Sequence, residues 1–399
     1  MQTCRRFRCH KSRLRAGCKW DRPCRTPFLK EENCDAFLWR INWRLSAVTA
    51  RWNQACLRRI SFGMEKLIYV DDALPGITRK GAGRGFAYYS PAGDLIRDRG
   101  ERKRLNAIAL PPAYRDAWFC PESNGHILAT GYDDAGRKQY RYHPHFRLMR
   151  EGDKFDRCEE FGKRLPLIRK RVASEIEGDV ATRERVLAAI VRLLDMGFVR
   201  IGNEVYKKTN QSFGASTLRD EHATITGSRV ELCYTGKGGK DRRVLLEDEA
   251  LARAVEDARD VPGPHLFQYY DEDGDRHALG SSDVNDYLRS VMGEEFSAKN
   301  FRTWHASVLA FAKIAEATER PTITTILEEV SDKLGNTPAV ARNSYIHPVV
   351  IDILSRERGW EEWQATLSIP RATKYLTGHE RGLLELLEQS PQAAELLTA

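Results

Sequence analysis

The stretch LGNTPAVARNSYIHP, Leu334–Pro348, decides how the chain is read. It sets one tyrosine, Tyr345, after a Gly-Asn-Thr-Pro turn and just before His-Pro. A helix is predicted over about 344–356, which would carry Tyr345 in its first turn. A tyrosine beside Ile and Val is ordinarily a core residue with a paired hydroxyl. It becomes a nucleophile only if other segments bring cations to it, so the remaining sequence has to supply them.

The chain of 399 residues, 41% of them hydrophobic, is long enough for two or three domains. No run of apolar residues reaches the length of a membrane span, and the N-terminus lacks the apolar core of a secretory signal. Charge is unevenly placed: residues 1–63 carry 15 Lys+Arg against 4 Asp+Glu, a net of +11, leaving −3 of the chain's +8 for residues 64–399. Any nucleic-acid surface downstream of 63 must therefore come from local clustering. Six of the nine cysteines also precede residue 64, with no CxxC pair, which argues against a zinc site. The sparse cysteines beyond suit a reducing compartment. Residues 1–63 are read as a basic, Cys-rich extension outside the fold, with Met64 as the natural start. A basic nucleic-acid arm or a transit peptide are the alternatives.

From 64 to 144 the pattern predicts a small β-rich domain. YYSPAGDLI reads as a hairpin, GHILATGYDDAGRKQYRYHP as a second, and ERKRLNAIAL between them as a short helix. HPHFRLMR, near 143–150, reads as a linker. Residues 145–399 read as a mainly helical domain. Amphipathic segments occur from 149 to 176 and 182 to 198, then RVELCYTGKGGKDRRVLL as a strand pair, then helices around 247–259, 281–292, 302–318 and 322–334. The fold class is α+β.

Four isolated segments carry charge that helix packing alone does not require. FVRIGN places Arg200 just past a helix end; TGKGGK places Lys237 and Lys240 in a hairpin; AKNFRTW places Lys299 and Arg302 at the start of an apolar helix; GNTP places Asn336 ahead of Tyr345. Singly, each has an ordinary explanation: a capping arginine, a solvated loop lysine, a core tyrosine. Arg302 is the exception, since a cation at a helix start opposes the macrodipole. The glycine spacing of GKGGK does not fit a nucleotide-triphosphate loop, and neither HExxH nor a paired-aspartate cluster stands out.

In this order the segments resemble the type IB DNA topoisomerases in their compact bacterial and poxvirus form, from about Met64 to Leu354. The resemblance implies a β-rich DNA-binding domain ahead of the helical catalytic domain shared with tyrosine recombinases. It implies Arg200 and Arg302 as the two catalytic arginines, Lys237 as the hairpin lysine and Tyr345 as the nucleophile that becomes linked to a DNA 3′-phosphate. Asn336 stands where many members have a histidine. GRKQYRYHP resembles the family's DNA-contacting segment, making Arg137, Lys138, Gln139, Tyr140 and Tyr142 candidates for DNA contact, with Lys240 and Lys299. Side chains 138, 140 and 142 would share one strand face. The implied enzyme acts on duplex DNA as a cytoplasmic, nucleoid-associated monomer, without nucleotide, metal or other cofactor.

The chemistry agrees. Attack on a phosphodiester builds negative charge on non-bridging oxygens, which two guanidiniums can hold while staying charged. Such donors are worth roughly 3–4 kcal/mol each in the transition state. The 5′-alkoxide leaving group needs a proton, which Lys237 can supply. A phenol of pKa about 10 attacks better if cations lower that value. Tyrosine recombinases share this logic but usually carry HxxR where this chain has Lys299-Asn-Phe-Arg302. A DNA-binding module without catalysis would not need all five groups.

Overall fold

A computed structural model describes residues 66–399 apart from 84, 179, 205–206, 208–210, 357 and 399. The extension read at 1–63 lies outside the described residues.

The β-rich region is one antiparallel sheet of β1 (Ile77–Ala82), β2 (Gly85–Tyr89), β3 (Arg115–Phe119), β4 (Ile127–Tyr132) and β5 (Lys138–Tyr142), in the order β2-β1-β3-β4-β5. Helix α1 (Arg99–Ala107) joins β2 to β3, where the short helix is expected. Both hairpin turns form. Ser90 donates its N–H to Asp94 at 2.8 Å, and Asp133 donates to Arg137 at 3.0 Å around Asp133-Asp134-Ala135-Gly136. Alternation sends Ile77, Tyr88, Phe119 and Ala129 to a core of their own, with Leu105 of α1. Edge strand β5 turns Lys138, Tyr140 and Tyr142 to the other face, where the two tyrosine rings stack 5.7 Å apart.

The second core belongs to the helices. Helix α2 (Pro144–Glu175) is 32 residues long and buries Phe155, Cys158, Phe161, Leu165, Ile168 and Val172 at helical spacing. The segment expected as a linker is thus its first two turns. Pro144 suits the first helical position, and His143 caps it, its Nδ1 accepting the His145 N–H at 3.2 Å. Helix α3 (Arg183–Gly197) is buried on nearly all sides, as a central helix must be. A three-stranded sheet follows: β6 (Ala223–Thr226), β7 (Arg229–Gly236) and β8 (Lys240–Glu247). Then come α4 (Glu249–Arg259), a short hairpin, α5 (Ser281–Met292), the central α6 (Ala298–Glu316) and α7 (Ile323–Leu334).

The expected helix at 344–356 is instead two helices, α8 (Pro338–Ser344) and α9 (Pro348–Ser355), with Tyr345 between them at φ −136° and ψ −38°. Pro348 is the reason. A residue before proline is driven out of the helical region, and His347 sits at φ −59°, ψ 132°. Tyr345 therefore occupies a kink rather than a helical turn. Short α10 (Gly359–Gln364) and helices α11 (Gly378–Glu388) and α12 (Ala393–Thr398) complete the described chain.

Candidate active site

Arg302 lies in the first two turns of α6 and is only 4% exposed. Two main-chain carbonyls anchor its guanidinium: Nη1 donates to the Phe198 carbonyl and Nη2 to the Leu334 carbonyl at 2.9 Å. Both acceptors come from helix ends. Phe198 caps α3 in the left-handed region, φ +54°, rare for a non-glycine residue, and its carbonyl thereby reaches Arg302. Leu334 is the last residue of α7, and Gly335 closes that helix at φ +63°. Glycine suits this position twice over, because a Cβ there would also collide with the Arg242 guanidinium.

The turn closed by Gly335 presents Asn336. Its Oδ1 accepts a hydrogen bond from Arg200 Nη2. Arginine only donates, so the amide oxygen must face Arg200 and the Nδ2 must point away. Arg200 is fixed in turn, its carbonyl accepting from Ala215 N–H at 2.8 Å. Two buried donors of this cluster have no acceptor among the described residues: Arg302 Nε and Asn336 Nδ2.

Tyr345 completes the cluster. Arg302 Cζ lies 4.9 Å from its ring centroid. Burial alone would raise the phenol's pKa, but Arg302 and Arg200, by charge and hydrogen bonding, bring it below the ordinary value of 10.0. Burial, then the charge of Arg200, pushes Arg302 itself down to about 10. It remains charged at neutral pH.

The β7–β8 hairpin borders this cluster. Register pairs Tyr234 with Arg242 and Gly236 with Lys240. Period two therefore sets Lys240 and Arg242 on the inner face with Val244 and Leu246. Lys240 donates to the Asn336 carbonyl at 2.9 Å, and Arg242 to the carbonyls of Asp332 at 3.1 Å and Lys333 at 2.7 Å. Lys237, at the hairpin tip with Gly238 and Gly239, is exposed and makes no hydrogen bond or ion pair among the described residues. Lys299 is likewise exposed. The structure thus brings Arg200, Arg302, Asn336, Tyr345 and Lys240 together, and leaves Lys237 and Lys299 outside the hydrogen-bonded cluster.

No ion pair to a carboxylate neutralises Arg200, Arg302, Lys240 or Arg242 among the described residues. Elsewhere the fold treats a buried arginine differently. Arg169 on α2 grips Asp195 at 2.8 Å and Glu380 at 2.7 Å. Asp195 also meets His305 Nε2 at 2.9 Å. That network ties α2, α3, α6 and α11 behind the site, and the His305 ring packs 5.4 Å from that of Phe198, whose carbonyl holds Arg302. Arg242, Asp195 and His305 carry no signal in the sequence. Only three-dimensional pairing reveals them, since their partners lie far along the chain.

On β5 the predicted shared face forms, with Lys138 Nζ 5.7 Å from the Tyr140 ring. Lys138 also pairs with Asp72 at 2.6 Å. Arg137 and Gln139 instead both engage Asp133, at 2.9 and 3.0 Å.

Residues 143–346, which include all five candidate catalytic residues, match the family model of the eukaryotic DNA topoisomerase I catalytic core. Residues 85–133 match the N-terminal domain of bacterial DNA topoisomerase IB. The chain belongs to the type IB DNA topoisomerase family. It is 28% identical to DNA topoisomerase 1B of Acanthamoeba polyphaga mimivirus over 70% of this chain and 88% of that one. It is 19% identical to DNA topoisomerase 1B of vaccinia virus (strain Western Reserve) over 60% and 76%, and 27% identical to DNA topoisomerase 1 of Mycosarcoma maydis over 45% and 20%.

Proposed function

We propose that this topoisomerase cuts one strand of duplex DNA by attack of the Tyr345 hydroxyl on a backbone phosphorus. The bond to the 5′ oxygen breaks, a 3′-phosphotyrosine forms, and the proton lost by the phenol is balanced by one delivered to the leaving 5′ oxygen. Arg200 and Arg302 hold the non-bridging oxygens. Asn336 adds a neutral donor through Nδ2, and Lys237 protonates the leaving oxygen once the duplex lies against the hairpin. Rotation of the free strand relaxes supercoils, and the 5′-hydroxyl reverses the reaction. The linkage conserves the energy of the broken bond, so no nucleotide is consumed.

One observation carries this reading. Two buried donors without acceptors, Arg302 Nε and Asn336 Nδ2, stand beside a phenol in a cluster of uncompensated cations. A buried donor without an acceptor is costly, so the site is matched to an anion delivered from outside. A tetrahedral phosphate bears both the charge and the acceptors. Lys138, Tyr140 and Tyr142 form the contact face of a DNA-binding region at 64–144, ahead of a catalytic region at 145–399, and the enzyme works as a monomer.

Tyr345→Phe deletes only the nucleophilic oxygen. The variant is expected to bind duplex DNA as the wild type does and to give no covalent adduct after a denaturant quench. An adduct at wild-type level would move the nucleophile elsewhere.

A further inference from the structure

Helix α2 delivers one more cation to the nucleophile. Lys154, Cys158, Phe161 and Leu165 recur at i, i+4, i+7 and i+11, so Lys154 lies on the apolar stripe of α2 and its stem runs inward. Its Nζ sits 3.9 Å from the Phe155 ring centroid and donates to the Ser344 carbonyl at 2.9 Å. Ser344 ends α8, and the last carbonyls of a helix lack partners within it. The peptide unit carrying that carbonyl contributes the Tyr345 nitrogen. On the other side, Ser307 Oγ accepts the His347 N–H at 2.9 Å and lies 3.3 Å from the Tyr345 carbonyl. Its single proton is also drawn to the Thr303 carbonyl at 2.9 Å, so Ser307 alone is a weak clamp.

We propose that Lys154 is a positioning residue for strand cleavage, fixing the peptide before Tyr345 and adding its positive field to the phenol. This rests on Tyr345 being the nucleophile. Lys154 forms no ion pair among the described residues; Glu151, one turn earlier, is bound to Arg147 at 3.7 Å. The groups facing Lys154 are Glu151, Cys158, Tyr345 and His347, and those facing Tyr345 are Arg302, Arg200 and Lys154. Burial pushes the Cys158 thiol up to about 12. Burial, with the charge of Lys154, pushes His347 down to about 4. Neither changes charge near neutral pH, so the ammonium and the phenol are what a change at 154 perturbs.

The test is single-turnover cleavage by the full chain, on a duplex whose leaving strand is too short to religate, across a pH series. Lys154→Met keeps the stem and removes donor and charge; Lys154→Arg keeps both. Lys154→Met is expected to cleave about 10- to 100-fold more slowly, the scale of one hydrogen bond from a charged donor. It should bind the duplex with unchanged affinity and show a rate–pH curve displaced to higher pH, and Lys154→Arg should recover most of the rate. Cleavage by Lys154→Met within twofold of wild type with a superposable pH curve overturns the inference. So does an equal slowing at every pH that arginine fails to rescue, which would make 154 a packing position. If Lys154→Met does not fold, Lys154→Gln, an uncharged donor, carries the same pH comparison. Tyr345→Phe run alongside separates the two readings. An adduct persisting there sinks the nucleophile assignment, whereas its loss there with normal cleavage by Lys154→Met sinks only the inference about Lys154.

Discussion

Arg302→Met should slow cleavage by about a hundredfold or more while destabilising the fold less than Arg169→Met does, and the structure gives the size of each effect. A guanidinium brought from 12.5 to about 10 by burial and by Arg200 costs the fold on the order of 3 kcal/mol. The folded value lies below the unfolded one. The penalty is therefore fully present at every pH below about 10 and lifts only as pH rises from there toward 12.5. Methionine removes it. Against that stand the hydrogen bonds to the Phe198 and Leu334 carbonyls, worth roughly 1.5–3 kcal/mol each for a charged donor. The net loss falls between about zero and 3 kcal/mol. Arg169→Met provides the contrast. It strands Asp195 and Glu380 in the interior, and breaking such a pair costs roughly 3–5 kcal/mol. Catalysis behaves differently: losing one preorganised donor to a developing oxyanion slows the step by about a hundred- to a thousandfold. Denaturant titrations of wild type, Arg302→Met and Arg169→Met, with single-turnover cleavage by the first two, measure both effects. Destabilisation of Arg302→Met as large as that of Arg169→Met would refute the expectation, as would cleavage by Arg302→Met at more than a tenth of the wild-type rate.

Lys237→Ala should cleave slowly on ordinary DNA but near normally when the 5′ bridging oxygen is sulfur, since a thiolate leaves without a proton. An equal defect on both substrates would reassign the general acid, with Lys240 the nearer candidate because it already touches the Asn336 carbonyl. Gly335→Ala should slow cleavage by about tenfold or more, because a side chain at φ +63° is strained and meets Arg242. Wild-type cleavage by that variant would show that the turn carrying Asn336 tolerates displacement.

Much of the fold is legible in the amino-acid sequence. The hairpins announce themselves through Pro-Ala-Gly-Asp and Asp-Asp-Ala-Gly, and α3, α5 and α7 through apolar periodicity. The candidate residues are legible as types in order, because chemistry demands those types wherever they fall. Local context is what misleads. HPHFRLMR reads as a linker, although its proline stands where a helix starts, at the first helical position. A helix drawn across Tyr345 neglects the same dipeptide just past it, at His347-Pro348. Lys154 is hidden for a different reason. A lysine on an apolar stripe is a visible signal, but its partner, the Ser344 carbonyl, lies 190 residues away, and backbone acceptors leave no mark in a sequence.

Backbone acceptors also explain how the site is built. A buried arginine can be satisfied by carboxylates, as Arg169 is, or by carbonyls, as Arg302 is. Carboxylates fix its position and cancel its charge. Carbonyls fix its position and leave the charge available: Arg302 is anchored at Nη1 and Nη2, and its Nε, without an acceptor among the described residues, is the donor that the proposed mechanism gives to a phosphate oxygen. Asn336 follows the same rule, its Oδ1 anchored by Arg200 and its Nδ2 left to donate. A neutral histidine at that position would present the same pattern, one nitrogen accepting from Arg200 and the other donating. Against the histidine that the resemblance implies for many family members, asparagine keeps one acceptor and one donor and lacks only the ability to titrate. Position 336 contributes no ionisation of its own, so in the proposed mechanism the pH response of cleavage rests on the Tyr345 phenol, the cations around it and Lys237.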